Sequence, residues 1–170
     1  MPITVAPFTP DFVAEVGDLD LSKPLSSEDK EAVAQAFWTY GVLVFPDQEL
    51  TQQQHIDFAL QFGPIERNVN FIQKVVNEQG QSRVHPDISD VSNLDADSRT
   101  WSADSRVRMG QLANRLWHTD SSFRHVPALA SLLYGHSIVP VGGHTQFADM
   151  RAAWDALPGT LQQRIENLRV

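Results

Sequence analysis

The chain has no cysteine among its 170 residues. That excludes disulfides, zinc ribbons, thiolate-held iron–sulfur clusters and thiol nucleophiles. Long hydrophobic runs are missing too, so nothing approaches the roughly 20 apolar residues of a membrane-spanning helix. Residues 1–11 lack the basic segment and apolar stretch of a secretory signal. Positive charge is scarce: 13 Lys and Arg stand against 21 Asp and Glu, a formal net charge of −8. That balance argues against nucleic acid or an anionic membrane as partner, since both need basic patches. The absences together point to a soluble cytoplasmic protein. The 42% apolar content is ample core material for a single domain over residues 1–170.

What is present reads first as helix and strand. Residues 3–21 alternate weakly and suggest two short strands, with turns at Pro7, Pro10 and Gly17. Ser26 followed by Asp29 predicts a capped helix to about Tyr40, burying Val33, Ala36 and Phe37 and stopped by Gly41. Val42-Leu43-Val44-Phe45 has the length of a buried strand and ends at Pro46. Thr51 with Gln54 opens a second helix that Gly63-Pro64 terminates. Residues 66–113 are polar and irregular, with few apolar pairs beyond Val75-Val76, and read as an active-site lid or loop. Strand signals resume at 116–117, 132–134, 137–139 and 146–147, with a tight turn at Gly142-Gly143. Asp149 caps a helix to about Leu157, and Pro158 opens another. The pattern is two helices packed on β-structure and then mainly β: α+β, or a barrel or jelly roll with flanking helices.

Chemistry concentrates in Leu116-Trp117-His118-Thr119-Asp120-Ser121-Ser122-Phe123. On a strand, side chains at i and i+2 leave the same face, so His118 and Asp120 can converge on one metal ion. An imidazole beside a carboxylate is two thirds of the 2-His-1-carboxylate triad that holds non-haem Fe(II) with open positions. Two other H-x-D strings serve as internal controls. His55-Ile56-Asp57 falls in a helical pattern, where i and i+2 diverge. His85-Pro86-Asp87 sits in a polar loop with proline at its centre.

From Asn114 the string N-R-L-W-H-T-D-S-S-F, and from Val139 V-P-V-G-G-H-T-Q-F-A-D-M-R-A-A-W-D-A-L-P, resemble the α-ketoglutarate-dependent dioxygenases that include the taurine and chlorophenoxyacetate enzymes. G-V-L-V-F-P-D-Q at 41–48 and F-A-L-Q-F-G-P-I-E at 58–66 resemble the same family's opening segments, so nearly the whole chain is covered. The wording is nearer to the aryloxyalkanoate branch than to the taurine enzyme. The resemblance implies a double-stranded β-helix (jelly roll) with Fe(II), α-ketoglutarate as co-substrate and O2. It implies hydroxylation of a small organic anion with release of succinate and CO2. By position, His118 and Asp120 would be iron ligands, Thr145 would hydrogen-bond a carboxylate of α-ketoglutarate, and Asn114 would line the substrate pocket. Trp117 and Phe123 would supply a dry surround. Arg108 and Arg115 are weaker candidates for the substrate anion. His144 stands where the family often has an acidic residue.

Blander accounts stand beside these. Trp117 and Phe123 fit a core, Thr145 the start of a strand, and Asp149-Met150-Arg151 a helix cap with a solvated arginine. His125 and His136 read as surface or satisfied core residues. The family also needs a second histidine ligand and an arginine for the far carboxylate of α-ketoglutarate, and no histidine after Asp120 has that context. The expectation is therefore an N-terminal part of a longer enzyme, with an incomplete jelly roll that is inactive alone. A taurine or alkylsulfonate dioxygenase and a non-catalytic β-barrel binding module remain the alternatives, and a homo-oligomer stays open.

Overall fold

A computed structural model describes residues 3–66, 80 and 82–168. The chain divides into two compact units: Met1–Leu19, Ser26–Asp47 and Leu133–Val170 form one, and Asp20–Leu25 with Gln48–Leu132 form the other. No helix among the described residues is long and apolar enough to cross a membrane.

The first unit is built on a three-stranded sheet of order β1-β2-β3. β1 (Thr4–Pro7) and β2 (Ala14–Gly17) pair antiparallel, with Val5 opposite Val16, where the weak alternation predicts strands. β2 is central and hides Ala14 and Val16 while Glu15 and Gly17 are half-buried, the period-2 pattern of a strand with one covered face. β3 (Leu43–Val44) joins it in parallel after a crossover through α1 (Ser27–Tyr40), as parallel pairs require. The apolar run 42–45 is thus only a two-residue strand, and Val44 is exposed rather than buried. A run of apolar residues fixes extended backbone, but strand length follows the partner, and only Ala14 and Glu15 face it.

α1 begins and ends as the sequence implies. The Ser26 hydroxyl accepts the Asp29 N–H at 3.0 Å and donates to its carboxylate at 2.7 Å. Val33 and Ala36 are buried, while Phe37 is half-buried. At the other end four carbonyls need donors from outside the helix ladder. Gly41, at φ +71°, turns its N–H back to Phe37 O at 2.8 Å. Val13 and Val42 donate to Tyr40 O at 3.1 and 2.8 Å. Trp38 O and Thr39 O are met by the Arg151 guanidinium at 3.0 and 3.2 Å. Arg151 lies on α4 (Met150–Asp155), whose N-cap Asp149 accepts the Arg151 N–H; α5 (Gly159–Ile165) follows Pro158, also as expected.

In the second unit α2 (Gln52–Leu60) opens with a reciprocal capping box between Thr51 and Gln54. It buries Ile56 and Phe58, each worth roughly 1.5–3 kcal/mol of apolar burial. Residues 20–25 have no ladder of their own, and glutamine amides serve them instead. Gln48 accepts the Leu21 N–H at 2.9 Å and Gln61 the Leu25 N–H at 2.8 Å, while Gln54 donates to Ser22 O at 3.4 Å.

The described part of 66–113 is irregular as expected, but α3 (Arg106–Gln111) and a 3-10 turn (Leu112–Arg115) lie within and just beyond it. Gly110 and the lack of an apolar face hid that helix from the pattern. Val75-Val76 falls outside the described residues. The strands expected at 116–117, 132–134, 137–139 and 146–147 are not formed: these residues join no ladder, and Leu116 and Ser137 stand at bends. Alternation and β-branched side chains favour extended backbone, yet a strand exists only against a partner.

Candidate metal centre

The 3-10 turn delivers the chain into Leu116–Asp120 within the second unit. His118 Nδ1 lies 2.7 Å from the carbonyl oxygen of Leu116. A carbonyl only accepts, so Nδ1 carries the proton, and in the neutral ring the lone pair sits on Nε2. That nitrogen is 3.2 Å from Asp120 Oδ1. Adjacent ligands of an octahedral cation at roughly 2.1 Å stand about 3 Å apart, so the two donor atoms have a chelating separation. A backbone carbonyl holding the far nitrogen of a ligating histidine is the usual outer support of such sites. Asp120 Oδ2 accepts the Ser131 hydroxyl at 2.6 Å, leaving Oδ1 on the histidine side.

Convergence is therefore achieved without the expected strand. The chain instead turns at 120–123, and Ser121 takes φ +56°. Both His118 and Asp120 are exposed, and among the described residues no third His, Cys, Asp or Glu joins them. An imidazole nitrogen and a carboxylate oxygen at this separation have chemistry suited to a divalent ion.

The control pairs behave differently. His55 is half-buried on α2, while Asp57 faces out and accepts from Gln53 Nε2 at 2.8 Å. His85 Nδ1 accepts the Asp87 N–H at 3.2 Å, a local loop bond, and the His85 N–H donates to Gln52 Oε1 at 2.6 Å.

The remaining predicted residues are placed as follows. Asn114 is exposed on the 3-10 turn, four residues before His118, and Arg108 and Arg115 are exposed as well. Thr145 belongs to the first unit, exposed outside any helix or strand after Gly142 and Gly143, whose φ values of +80° and +69° bend the chain where the turn is expected. Trp117 and Phe123 are neither core nor a dry surround: both are about 70% exposed, at 70% and 69%. His125, His136 and His144 are exposed, His136 edge-on to Tyr134 with ring centroids 4.7 Å apart. Ser131 and Leu116 were not legible as supports, because a serine hydroxyl and a carbonyl carry no motif.

The pattern of the taurine catabolism dioxygenase TauD, TfdA family matches residues 4–170. The chain belongs to that family. Among TauD/TfdA relatives it is 40% identical over 169 residues to the α-ketoglutarate-dependent 2,4-dichlorophenoxyacetate dioxygenase of Cupriavidus pinatubonensis, covering 99% of this chain and 58% of that protein. It is 39% identical over 136 residues to the (S)-phenoxypropionate/α-ketoglutarate dioxygenase of Sphingobium herbicidovorans, covering 79% and 42%. The crystal structure of AAD-2 in complex with Mn(II) and N-oxalylglycine superposes with a TM-score of 0.83 at 41% identity, over 98% of this chain and 54% of that one. The chain thus spans about half the length of these TauD/TfdA relatives.

Proposed function

We propose that the whole protein is an Fe(II)- and α-ketoglutarate-dependent dioxygenase that hydroxylates a small aryloxyalkanoate-like anion, releasing succinate and CO2. The observation that carries this is the 3.2 Å approach of His118 Nε2 to Asp120 Oδ1, with Nδ1 engaged by Leu116 O. His118 and Asp120 would hold the metal, which when bound supplies redox activation of O2. Thr145 would donate its hydroxyl to a carboxylate of the co-substrate, and Asn114 would donate to the substrate in the pocket. Residues 66–113 would help to cover that pocket, whose apolar body must exclude water. The names of the relatives support the aryloxyalkanoate reading, since they act on 2,4-dichlorophenoxyacetate and phenoxypropionate.

The jelly roll belongs to the same proposal. In the first unit Leu133, Ile138 and Val141 each stand more than half exposed, and exposed apolar side chains of this kind call for covering chain. The absence of cysteine supports a cytoplasmic setting.

The test is succinate release by the whole protein, with a phenoxyalkanoate and taurine supplied in parallel. Coupled turnover of the phenoxyalkanoate is expected. Preference for taurine would place the protein in the sulfonate branch, and no Fe(II)-dependent decarboxylation with any substrate would overturn the assignment.

A further inference from the structure

Directly after Asp120 the backbone enters a conformation that serine rarely adopts, with Ser121 at φ +56°. Such residues persist where their surroundings over-determine them. Local bonds close the turn: the Arg124 N–H donates to Ser121 O at 3.0 Å, and the Ser122 hydroxyl to Thr119 O at 3.2 Å. Neither bond ties the turn to the rest of its unit. Ser131 ties the Asp120 carboxylate at the start of the turn, and Glu66, 55 positions before Ser121, ties the turn itself, its Oε2 accepting the Ser121 hydroxyl at 2.7 Å. The other oxygen, Oε1, lies 2.5 Å from Arg124 Nε, an ion pair in which the Nε–H does not point along the contact. One carboxylate thus grips both ends of the turn. Glu66 and Arg124 are only about one-quarter and one-third exposed, at 26% and 33% for their side chains, so the grip is partly shielded from water. With both oxygens so engaged, and no three-ligand group among the described residues, Glu66 is not itself a ligand.

We propose that Glu66 is a positioning residue for the metal-binding turn. It holds Ser121 in the left-handed region and thereby fixes where the Asp120 carboxylate stands relative to His118 Nε2. The inference rests on His118 and Asp120 being metal ligands. Without the grip, Ser121 relaxes to negative φ, and the donor pair loses the separation that a divalent ion requires.

The experiment is Mn(II) titration of the whole protein, with free Mn(II) followed by electron paramagnetic resonance. Glu66→Ala and Ser121→Ala should each weaken Mn(II) binding roughly tenfold to hundredfold, the usual penalty for losing an outer support of a metal ligand. The double variant should be no weaker than Glu66→Ala alone, because both changes cut one connection. Glu66→Gln keeps an acceptor for Ser121 and should stay within a few-fold of wild type. Asp120→Ala should lose binding. Wild-type affinity in Glu66→Ala, beside loss in Asp120→Ala, overturns the positioning role and leaves the metal site standing. Unchanged binding in Asp120→Ala overturns the metal site itself. Should Glu66→Ala fail to fold, wild-type affinity in Ser121→Ala overturns the proposal equally.

Discussion

Arg151 caps the carboxyl end of α1 from 113 positions away, its Nη1 standing 3.0 Å from the carbonyl oxygen of Trp38. The same nitrogen reaches Thr39 O at 3.2 Å, and Nη2 reaches Asp11 O at 3.2 Å. Asp149 takes the rest, with Oδ1 at 3.2 Å from Nε and Oδ2 at 3.4 Å from Nη2. A guanidinium has five N–H donors in a rigid fork, and each finds an acceptor here. α1 has no basic residue in its own last turn, so Arg151 also supplies the cation that the helix dipole favours there. A Cβ at Gly41 would stand 3.4 Å from Arg151 Nη2, an ordinary contact, so it is the φ of +71° and not space for the guanidinium that favours glycine there.

Arg151→Ala should therefore lower the unfolding free energy of the protein by roughly 1–3 kcal/mol, with solvent screening setting the lower end. Arg151→Lys should recover little, since one ammonium cannot serve three carbonyls and a carboxylate. Urea unfolding of both variants checks this. Full recovery by lysine would mean that charge alone matters and the fork does not. The Asp149 carboxyl, held below the usual carboxylate range chiefly by Arg151, should rise in the alanine variant.

The sequence made Asp149 readable as a cap, because that role is local, but not the role of Arg151. Its acceptors are main-chain carbonyls of Asp11, Trp38 and Thr39, which carry no residue code. The same division runs through the fold. Ser26, Thr51, Gly41 and the glycine pair at 142–143 were legible, because caps and positive-φ turns are decided by a few neighbouring residues. β3 came out shorter than its apolar run, and the strands expected from Leu116 onward are not formed among the described residues, because pairing is decided by chain remote in sequence. At the candidate site His118 and Asp120 were legible as a pair, but for the wrong local reason. They stand on a segment that forms no strand, a turn at 120–123 follows them, and the Glu66 carboxylate that grips that turn lies in another part of the chain.

The three H-x-D strings give a contrast that stands on geometry. In the whole protein, His118→Ala and Asp120→Ala should abolish iron-dependent turnover and the weak visible band of Fe(II) with α-ketoglutarate under anaerobic conditions. His55→Ala and Asp87→Ala should retain both. His55 lies on α2 with Asp57 on another face, and Asp87 belongs to a loop closed on His85 Nδ1. Loss of the band in folded His55→Ala protein would remove His118 and Asp120 from their assigned role.

Asp20 offers a pH test in the second unit. Lys23 Nζ sits 2.6 Å from its Oδ2, and the Ser22 hydroxyl and N–H both donate to Oδ1, at 2.5 and 3.0 Å. The Lys23 contact first, and Ser22 next, hold this carboxyl down at about 2. A depressed folded value means that the unfolded chain takes up the proton first as pH falls. The stabilisation is then complete above the ordinary carboxylate range and is lost as pH drops from there through about 2. Carboxyl resonances followed by NMR should give that midpoint, and Lys23→Ala should move it up toward the ordinary range. Because both side chains are exposed to solvent, added salt should shift it the same way. A midpoint that ignores both lysine removal and salt would refute the assignment of cause.

Thr145 carries the sharpest test of the co-substrate site. The glycine turn before it leaves the side chain exposed, so its hydroxyl is accessible to a ligand. Replacing it with valine keeps the branched shape and removes only the donor. A lost hydrogen bond to a charged group is worth roughly 1.5–3 kcal/mol, or about a tenfold to hundredfold change in affinity. Thr145→Val should raise the apparent KM for α-ketoglutarate by that factor, while the KM for the organic substrate stays within a few-fold. Thr145→Ser, which retains the donor, should restore most of the loss. The competitive constant of N-oxalylglycine, the analogue held by AAD-2, should move in parallel with the KM. A Thr145→Val protein with an unchanged α-ketoglutarate constant would show that the residue merely follows a turn, and that another group holds the carboxylate.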